Sequence, residues 1–300
     1  MKSPALLALS GADGSILRGL VGNLVLITGT SSGIGLSAAI ECAAAGHRVV
    51  ATMRNLDRRK ALDEAAKARG VTVHVEQLDV TADHVVPKIR ELVLKYGPFY
   101  GLVNNAGIAI GGAFEEQSEA DVREQFETNV FGLMAVTRAV LPAMRAAKRG
   151  RIINVSSISG RVGFPLVSAY AASKHAVEGL SESLRWELEG FGIDACLVEP
   201  GTFKTPIFFE NLRRGANVPA SGPYTALSEI VEKLFREDAE KAPLPDAVGR
   251  TIAALFQEPS PSFRTVIGTD ARTLVTLRRM VPDRLFASGI RRLLNLPRLR

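Results

Sequence analysis

The sequence predicts a doubly wound α/β fold, with a parallel sheet of about seven strands and helices on both faces. Three observations lead there. Apolar, β-rich runs alternate with helical patterns along most of the chain, the order expected when parallel strands are joined by helical crossovers. Several of these runs are apolar almost throughout, as strands covered on both faces must be. The first run, LVLIT, passes directly into the glycine-rich turn GTSSGIG, which opens a helical pattern.

Taken in order, residues 1–20 form an N-terminal extension expected to be loosely held. Its apolar run at 5–9 is too short for a signal core or a membrane span. The candidate strands are 24–28, 47–53, 71–78, 99–104, 151–156, 193–199 and 263–267. Gly46, Gly70 and Gly97 follow three helical patterns, where a left-handed terminating residue is wanted. Ser118 with Asp121 has the spacing of a capping box, opening a long helix toward Arg145. Residues 21–270 therefore read as one domain. Between 206 and 245 the alternation stops: proline, glycine and aromatic residues appear but no strand, and a break of this length suggests a lid over a site. Residues 271–300 form a basic amphipathic tail.

Three hundred residues suffice for one large α/β domain, and 46% hydrophobic with 23% charged residues is the balance of a soluble enzyme. The formal charge of +6 is not spread over the chain. Residues 278–300 carry seven arginines against Asp283 alone, so the body is neutral and a general nucleic-acid surface is excluded. Cys42 and Cys196 fall in apolar patterns and read as buried thiols of a reducing compartment, which makes the cytoplasm the default. The histidines at 47, 74, 84 and 175 lack metal-ligand spacing, so no metal site is expected.

The spacing that carries chemistry is Ser157, Tyr170 and Lys174. Tyr170 and Lys174 are i and i+4, hence on one face of a helix, one turn apart. A phenol titrates near pH ~10, and an adjacent ammonium favours its ionised form. Lowering it by about three pH units would take roughly 4 kcal/mol. Ser157, at the end of a strand-like run, can donate to an oxygen that changes charge. Alone, the pattern also fits an ordinary helix with a surface lysine. The turn supplies context: Gly29, Gly33 and Gly35 permit close approach of backbone to a ligand, and the N–H groups of the following helix favour a pyrophosphate.

With these motifs the chain resembles the classical short-chain dehydrogenases/reductases over about residues 22–270. Thr28 to Gly35 matches the family's TGxxxGxG turn, and Asn104 to Gly107 its NNAG motif. Asn129, Ser157, Tyr170 and Lys174 match its catalytic tetrad, and Pro200-Gly201 with Thr205 its PG-x-x-x-T segment. The resemblance implies a Rossmann-type fold and a nicotinamide cofactor. It assigns Tyr170 as general acid/base, and Ser157 as holder of the substrate oxygen. Lys174 would lower the phenol's pKa and bind the nicotinamide ribose, and Asn129 would help hold a water in a proton relay. Cofactor contacts are implied for Gly29, Ser31, Ser32, Gly33, Ile34 and Gly35, for Asp79 and Val80, and for Asn105, Ala106 and Gly107. Further contacts are implied for Tyr170 and Lys174 themselves, and for Pro200, Gly201, Phe203 and Thr205.

Where NAD-dependent members carry an aspartate after the second strand, this chain has Met53 followed by Arg54. A missing carboxylate and a present guanidinium both favour NADP(H), with NAD(H) as the alternative. The wider text resembles the hydroxysteroid and retinol dehydrogenase branch, which implies a lipophilic secondary or allylic alcohol and its carbonyl. Phe203, Ile207, Phe208, Phe209 and Leu212 suit such a substrate or the lid's own packing. Two other functions stay open: reduction of a 3-oxoacyl thioester, and a non-catalytic NADP(H)-sensing or scaffold role. The family resemblance implies a homodimer or homotetramer. The tail, with Leu274, Leu277, Met280, Leu285, Phe286 and Ile290 interleaved with arginines, suits peripheral membrane contact, a terminal helix or a subunit contact.

Overall fold

The computed structural model describes residues 22–208, 212–219 and 221–294. The expected N-terminal extension, Phe209 and the end of the tail lie outside the described residues. Strands β1 (Leu24–Thr28), β2 (Arg48–Met53), β3 (His74–Gln77), β4 (Gly101–Asn104), β6 (Gly150–Val155), β7 (Ile193–Pro200) and β9 (Arg264–Ile267) form the main sheet. They lie in the order β3-β2-β1-β4-β6-β7-β9, and every pairing is parallel. The order reverses on either side of β1, so the crevice of a doubly wound sheet opens between the carboxyl ends of β1 and β4.

Helices α1 (Gly33–Ala44), α2 (Lys60–Arg69), α3 (Val85–Tyr96), α4 (Glu119–Phe126), α5 (Leu133–Ala146) and α6 (Ser168–Glu189) lead from the first strands into the second half. They are followed by α7 (Thr225–Lys241), α8 (Asp246–Gln257), α9 (Thr269–Met280) and α10 (Asp283–Leu293). The apolar strands are explained by two cores. Val25 and Ile27 point into the layer packed by α1 and α8, while Leu24 and Leu26 point into the layer packed by α3 and α5. Alternate side chains of a strand face opposite ways, so a strand between two helix layers has no polar face. The pair α1 and α8 approaches closely because a side chain at Gly249 would sit 2.2 Å from Ser37 Oγ.

Helix ends follow their local chemistry. Gly46, Gly70 and Gly97 have φ of 89°, 70° and 102°, a region that costs other residues energy. Ser118 and Asp121 form the reciprocal capping box at α4. The long helix expected toward Arg145 is divided: a π-helical stretch, Glu127–Gly132, joins α4 to α5 and carries Asn129.

One expectation is overturned. The segment 206–245 does hold a strand, β8 (Leu212–Arg214), in parallel with β5 (Ala109–Gly111) in a separate small sheet. Both are only three residues long and have no alternating pattern to reveal them. Their pairing is long-range, and Arg213 reinforces it by donating to Glu124 on α4 and lying 3.5 Å from Asp121. The other described elements of the segment are a turn at Pro206–Phe208 and the helix α7.

Candidate active site

A cavity of about 810 Å³ runs along the carboxyl ends of β1, β2 and β4. One end is built by the turn after β1. Gly29 and Gly33 have φ of 71° and 58°, so left-handed backbone is required at both. At Gly35 a side chain would collide with the Gly29 carbonyl at 2.2 Å and Asn105 Nδ2 at 2.3 Å. The turn is held from β4: Asn105 Nδ2 donates to the Thr28 and Gly29 carbonyls at 2.9 Å, while Thr28 Oγ1 accepts from the Asn105 and Ala106 amides at 3.0 Å. Ser32 starts α1 without a side-chain cap, which leaves the first N–H groups of that helix for an anion. Gly29, Ser31, Ser32, Gly33, Ile34 and Gly35 all line the cavity, as do Asn105, Ala106, Gly107 and Thr205. Glycine-shaped backbone and uncapped amides are what a dinucleotide pyrophosphate requires, so the residues present fit that group.

Past the turn, Met53 is buried and Arg54 is exposed at the cavity wall. The sequence reading missed Arg58, which lines the same wall. Asn55 accepts from the Asp57 amide at 2.9 Å and starts a 3₁₀ turn, Leu56–Arg59, which returns Arg58 to the side of Arg54. Within RNLDRRK, Arg59 pairs with Asp63 at 2.8 Å and Lys60 with Glu64 at 3.9 Å. Arg54 and Arg58 have no ion-pair partner among the described residues. Asp79 and Val80 also line the cavity. Asp79 caps no helix; it accepts from the Thr81 amide and hydroxyl at 3.0 and 2.8 Å, an Asx turn that fixes the loop.

The other end of the cavity is bounded by Ala109 and Ile207, which pack with Val167 and Phe164 around Tyr170. Ser157, Tyr170 and Lys174 are together here, 5%, 3% and 6% exposed, and sit behind the cavity wall. Ser157 follows β6 and its hydroxyl is hydrogen-bonded to the Tyr170 phenol. Tyr170 and Lys174 are in the first turns of α6, with Lys174 Nζ 5.7 Å from the Tyr170 ring centre. Lys174 Nζ donates to the Val155 carbonyl at 2.9 Å.

The expected lowering of the phenol does not occur in this state. Burial pushes Tyr170 up to about 12, against the hydrogen bond from Ser157. Burial also pulls Lys174 down to about 8, against the pull of Glu178, so the ammonium that should favour the phenolate is itself weakened. The side chain of Asn129 is fully engaged. Its Oδ1 accepts from the Ile108 amide at 2.9 Å, and its Nδ2 donates to the Ile108 carbonyl and Ser173 Oγ, each at 3.0 Å. Both ends of the amide are engaged in pinning the loop after β4 to α6, which leaves Asn129 its backbone for any relay. Phe203, expected at the cofactor and in the lid, is a core residue, 3% exposed and packed in the α1–α8 layer. Pro200 and Gly201 stand outside the cavity lining. Gly201 is held by β9 and α9, where a side chain would meet the Asp270 carboxylate at 2.3 Å.

A second, smaller cavity of about 270 Å³ adjoins Tyr170 through Val167. Leu166, Val167, Val218, Val231 and Phe235 line it, and Arg214 and Arg236 stand at its edge. Leu166 takes φ of 64°, strained for a leucine, while its carbonyl accepts from the Gly112 amide at 2.8 Å.

The chain matches the short chain dehydrogenase family over residues 23–214. It is 36% identical to a 3-ketodihydrosphingosine reductase of Bacteroides thetaiotaomicron, over 89% of this chain and 96% of that protein. It is also 36% identical to retinol dehydrogenase 8 of Bos taurus, over 86% of each. Among solved structures, it is similar to a metagenomic short-chain oxidoreductase in complex with NADP, at 26% identity and a TM-score of 0.66, over 83% of this chain and 97% of the other. A short-chain dehydrogenase/reductase from Burkholderia phymatum in complex with NAD is similar at 26% identity and a TM-score of 0.74, over 87% and 94%.

Proposed function

The chain belongs to the short-chain dehydrogenase family, and on that premise we propose that it is an NADP(H)-dependent oxidoreductase interconverting a lipophilic secondary or allylic alcohol and its carbonyl. The observation that carries the reading is a cavity lined at one end by a glycine cradle and by Arg54 and Arg58, unpaired among the described residues, and bounded at the other by the apolar shell of Tyr170, behind which Ser157 and Lys174 meet that tyrosine. The cradle and α1 amides would hold the pyrophosphate, with Asn105 bracing the cradle; Asp79 and Val80 would flank the adenine end, and Arg54 with Arg58 would meet a 2′-phosphate. Lys174 would serve the nicotinamide end. When bound, the cofactor supplies or accepts the hydride.

The chain's own residues handle the proton. In reduction, Tyr170 gives its phenolic proton to the substrate oxygen while Ser157 donates a hydrogen bond to that same oxygen. In oxidation Tyr170 takes the proton back. A phenol held near 12 keeps its proton until the substrate oxygen gains basicity. With a pKa of about 8, Lys174 is mostly ammonium at neutral pH and meets the phenolate as it forms. Ala109, Val167, Phe164 and Ile207 exclude water from the exchange.

Support for a lipophilic substrate comes from Leu166, Val167, Val218, Val231 and Phe235, which share the lining of the second cavity with charged residues, and from relatives named as a 3-ketodihydrosphingosine reductase and a retinol dehydrogenase. The tail adds a membrane reading. Leu277, Met280 and Leu285 are 45%, 77% and 64% exposed among arginines, while Phe286 and Ile290 pack inward. Contact with an anionic bilayer would bring the protein to where such substrates dissolve. Co-sedimentation with anionic vesicles, with and without residues 270–300, tests this; equal partitioning of the two forms refutes it. Tyr170→Phe tests the chemistry. Turnover across a panel of retinoids, steroids, long-chain ketones and acyl thioesters should fall by about 10²–10⁴-fold, with NADPH binding retained. Near-native turnover would reject the assignment.

A further inference from the structure

Behind Lys174 lies a buried ionic cluster that the proton transfer above does not use. Glu178 follows Lys174 by one turn of α6, and both are buried. Glu199, on β7, is fully buried. Arg264 on β9 reaches both carboxylates with one nitrogen: its Nε lies 3.2 Å from Glu178 Oε2 and 3.4 Å from Glu199 Oε1. Arg161, after the turn that follows Ser157, is 3.2 Å from Glu199 Oε1. Toward solvent, Arg264 Nη2 pairs with Glu182 at 2.6 Å, and Arg185 lies beyond it on α6. Gly160 permits the approach, since a side chain there would meet Ser156 Oγ at 2.7 Å and both Glu178 Cγ and the Lys174 carbonyl at 3.1 Å.

The remaining carboxylate oxygens have no partner among the described residues. Glu178 Oε1 and Glu199 Oε2 are buried without a hydrogen bond, and so is Ser156 Oγ. Two ionised carboxylates each leaving an oxygen unsatisfied in a dry interior would be costly. One proton changes this, because a protonated carboxyl becomes a donor and removes a like charge.

We propose that this cluster retains one proton, on Glu199, and that Glu199 and Glu178 act as positioning residues that set the charge of Lys174. The inference rests on the role proposed for Lys174 in the proton transfer. Burial and the Glu178 charge raise Glu199 to about 7, while Arg161 and Arg264 oppose the rise. Glu199 therefore gives up its proton as pH passes through neutrality. The added negative charge then holds Lys174 as ammonium further into the alkaline range. Below neutrality the pair carries one charge and Lys174 is less strongly held.

The test reads the pair and the lysine separately, without turnover. Infrared difference spectra of the wild-type protein between about pH 6 and about pH 9 should show a protonated-carboxyl band lost at high pH. That band should be missing in Glu199→Gln. Its absence from the wild type overturns the retained proton. In protein carrying isotope-labelled lysine, the Lys174 side-chain resonance, assigned by its loss in Lys174→Met, should titrate about one pH unit lower in Glu178→Gln. Glu178→Asp should restore the wild-type midpoint. An unmoved midpoint in folded Glu178→Gln overturns the link. If Glu178→Gln does not fold, Glu199→Gln serves: loss of the neutral inflection in the Lys174 titration supports the link, and its retention sinks it. A protein that shows the band and the coupled titration but no turnover refutes the oxidoreductase reading and leaves the pair standing.

Discussion

Cofactor choice is the property most directly written into exposed side chains, and it is tested by removing Arg54 and Arg58 separately and together. Both line the cavity wall just past the glycine cradle, and neither is neutralised by a carboxylate among the described residues. A charge-assisted hydrogen bond to phosphate is worth about 1.5–3 kcal/mol. Arg54 is exposed, so solvent screening places it at the low end, about 1.5 kcal/mol, or roughly tenfold in kcal-to-ratio terms. Arg54→Ala should therefore lower kcat/KM for NADPH about tenfold, and Arg58→Ala should do the same. The two arginines serve one phosphate, so the double variant should lose less than the product of the single losses. NADH carries no 2′-phosphate, and its kcat/KM should change by less than about twofold. Steady-state kinetics with both cofactors gives the selectivity ratio directly. Raising salt should weaken wild-type NADPH binding and leave the double variant little affected. An NADPH/NADH ratio unchanged in the double variant would refute the reasoning, because no other unpaired cation lies at that wall in the described residues.

Two further perturbations probe the cradle and the buried lysine. Gly35→Ala places a methyl group 2.2 Å from the Gly29 carbonyl, and the turn must shift; NADPH affinity should fall at least tenfold, with melting temperature reduced. Unchanged affinity by fluorescence titration would show that the turn does not carry the pyrophosphate. Lys174→Met should abolish turnover yet raise stability at pH 7 by about 1–3 kcal/mol, since it removes a desolvated ammonium and loses one hydrogen bond to Val155. The sign follows from linkage. Lys174 is depressed to about 8 when folded, so the folded state binds fewer protons than the unfolded one between pH 8 and its ordinary 10.5, and wild-type stability rises with pH there. Tyr170, raised to about 12 from 10.0, reverses the trend above pH 10, where the unfolded phenol ionises first. Denaturant melts across this range check both; a lysine variant with the same rise as wild type between pH 8 and 10 would contradict the assignment.

The central strands of the main sheet were legible because they alternate between two apolar cores and stand out as continuous runs, whereas the edge strands β3 and β9 are polar and only partly buried. The glycine cradle was legible because left-handed backbone and close approach restrict residue choice to glycine. Strands β5 and β8 were not, since three-residue segments carry no period and pair only through the fold. Arg58 was hidden for a related reason: it lies in a charged run like any solvated helix start, and only the Asn55-capped turn returns it to the cavity. Phe203 failed in the opposite sense. An aromatic residue beside a loop motif reads equally well as a ligand contact or as core, and the approach of α8 decides for core.

By itself the sequence determined the sheet, the cradle and the residue types for a proton transfer, because periodicity and backbone restriction are local properties of the chain. It also determined that Ser157, Tyr170 and Lys174 share a site, once their spacing was joined to the strand and turn before them. Only the tertiary structure decided the electrostatics of that site. The same Tyr170–Lys174 pair that suggests a lowered phenol is buried, and desolvation drives the phenol up and the ammonium down. Burial, and the Glu199 carboxylate that β7 brings beneath α6, arise from segments far apart in the chain. No local pattern encodes them.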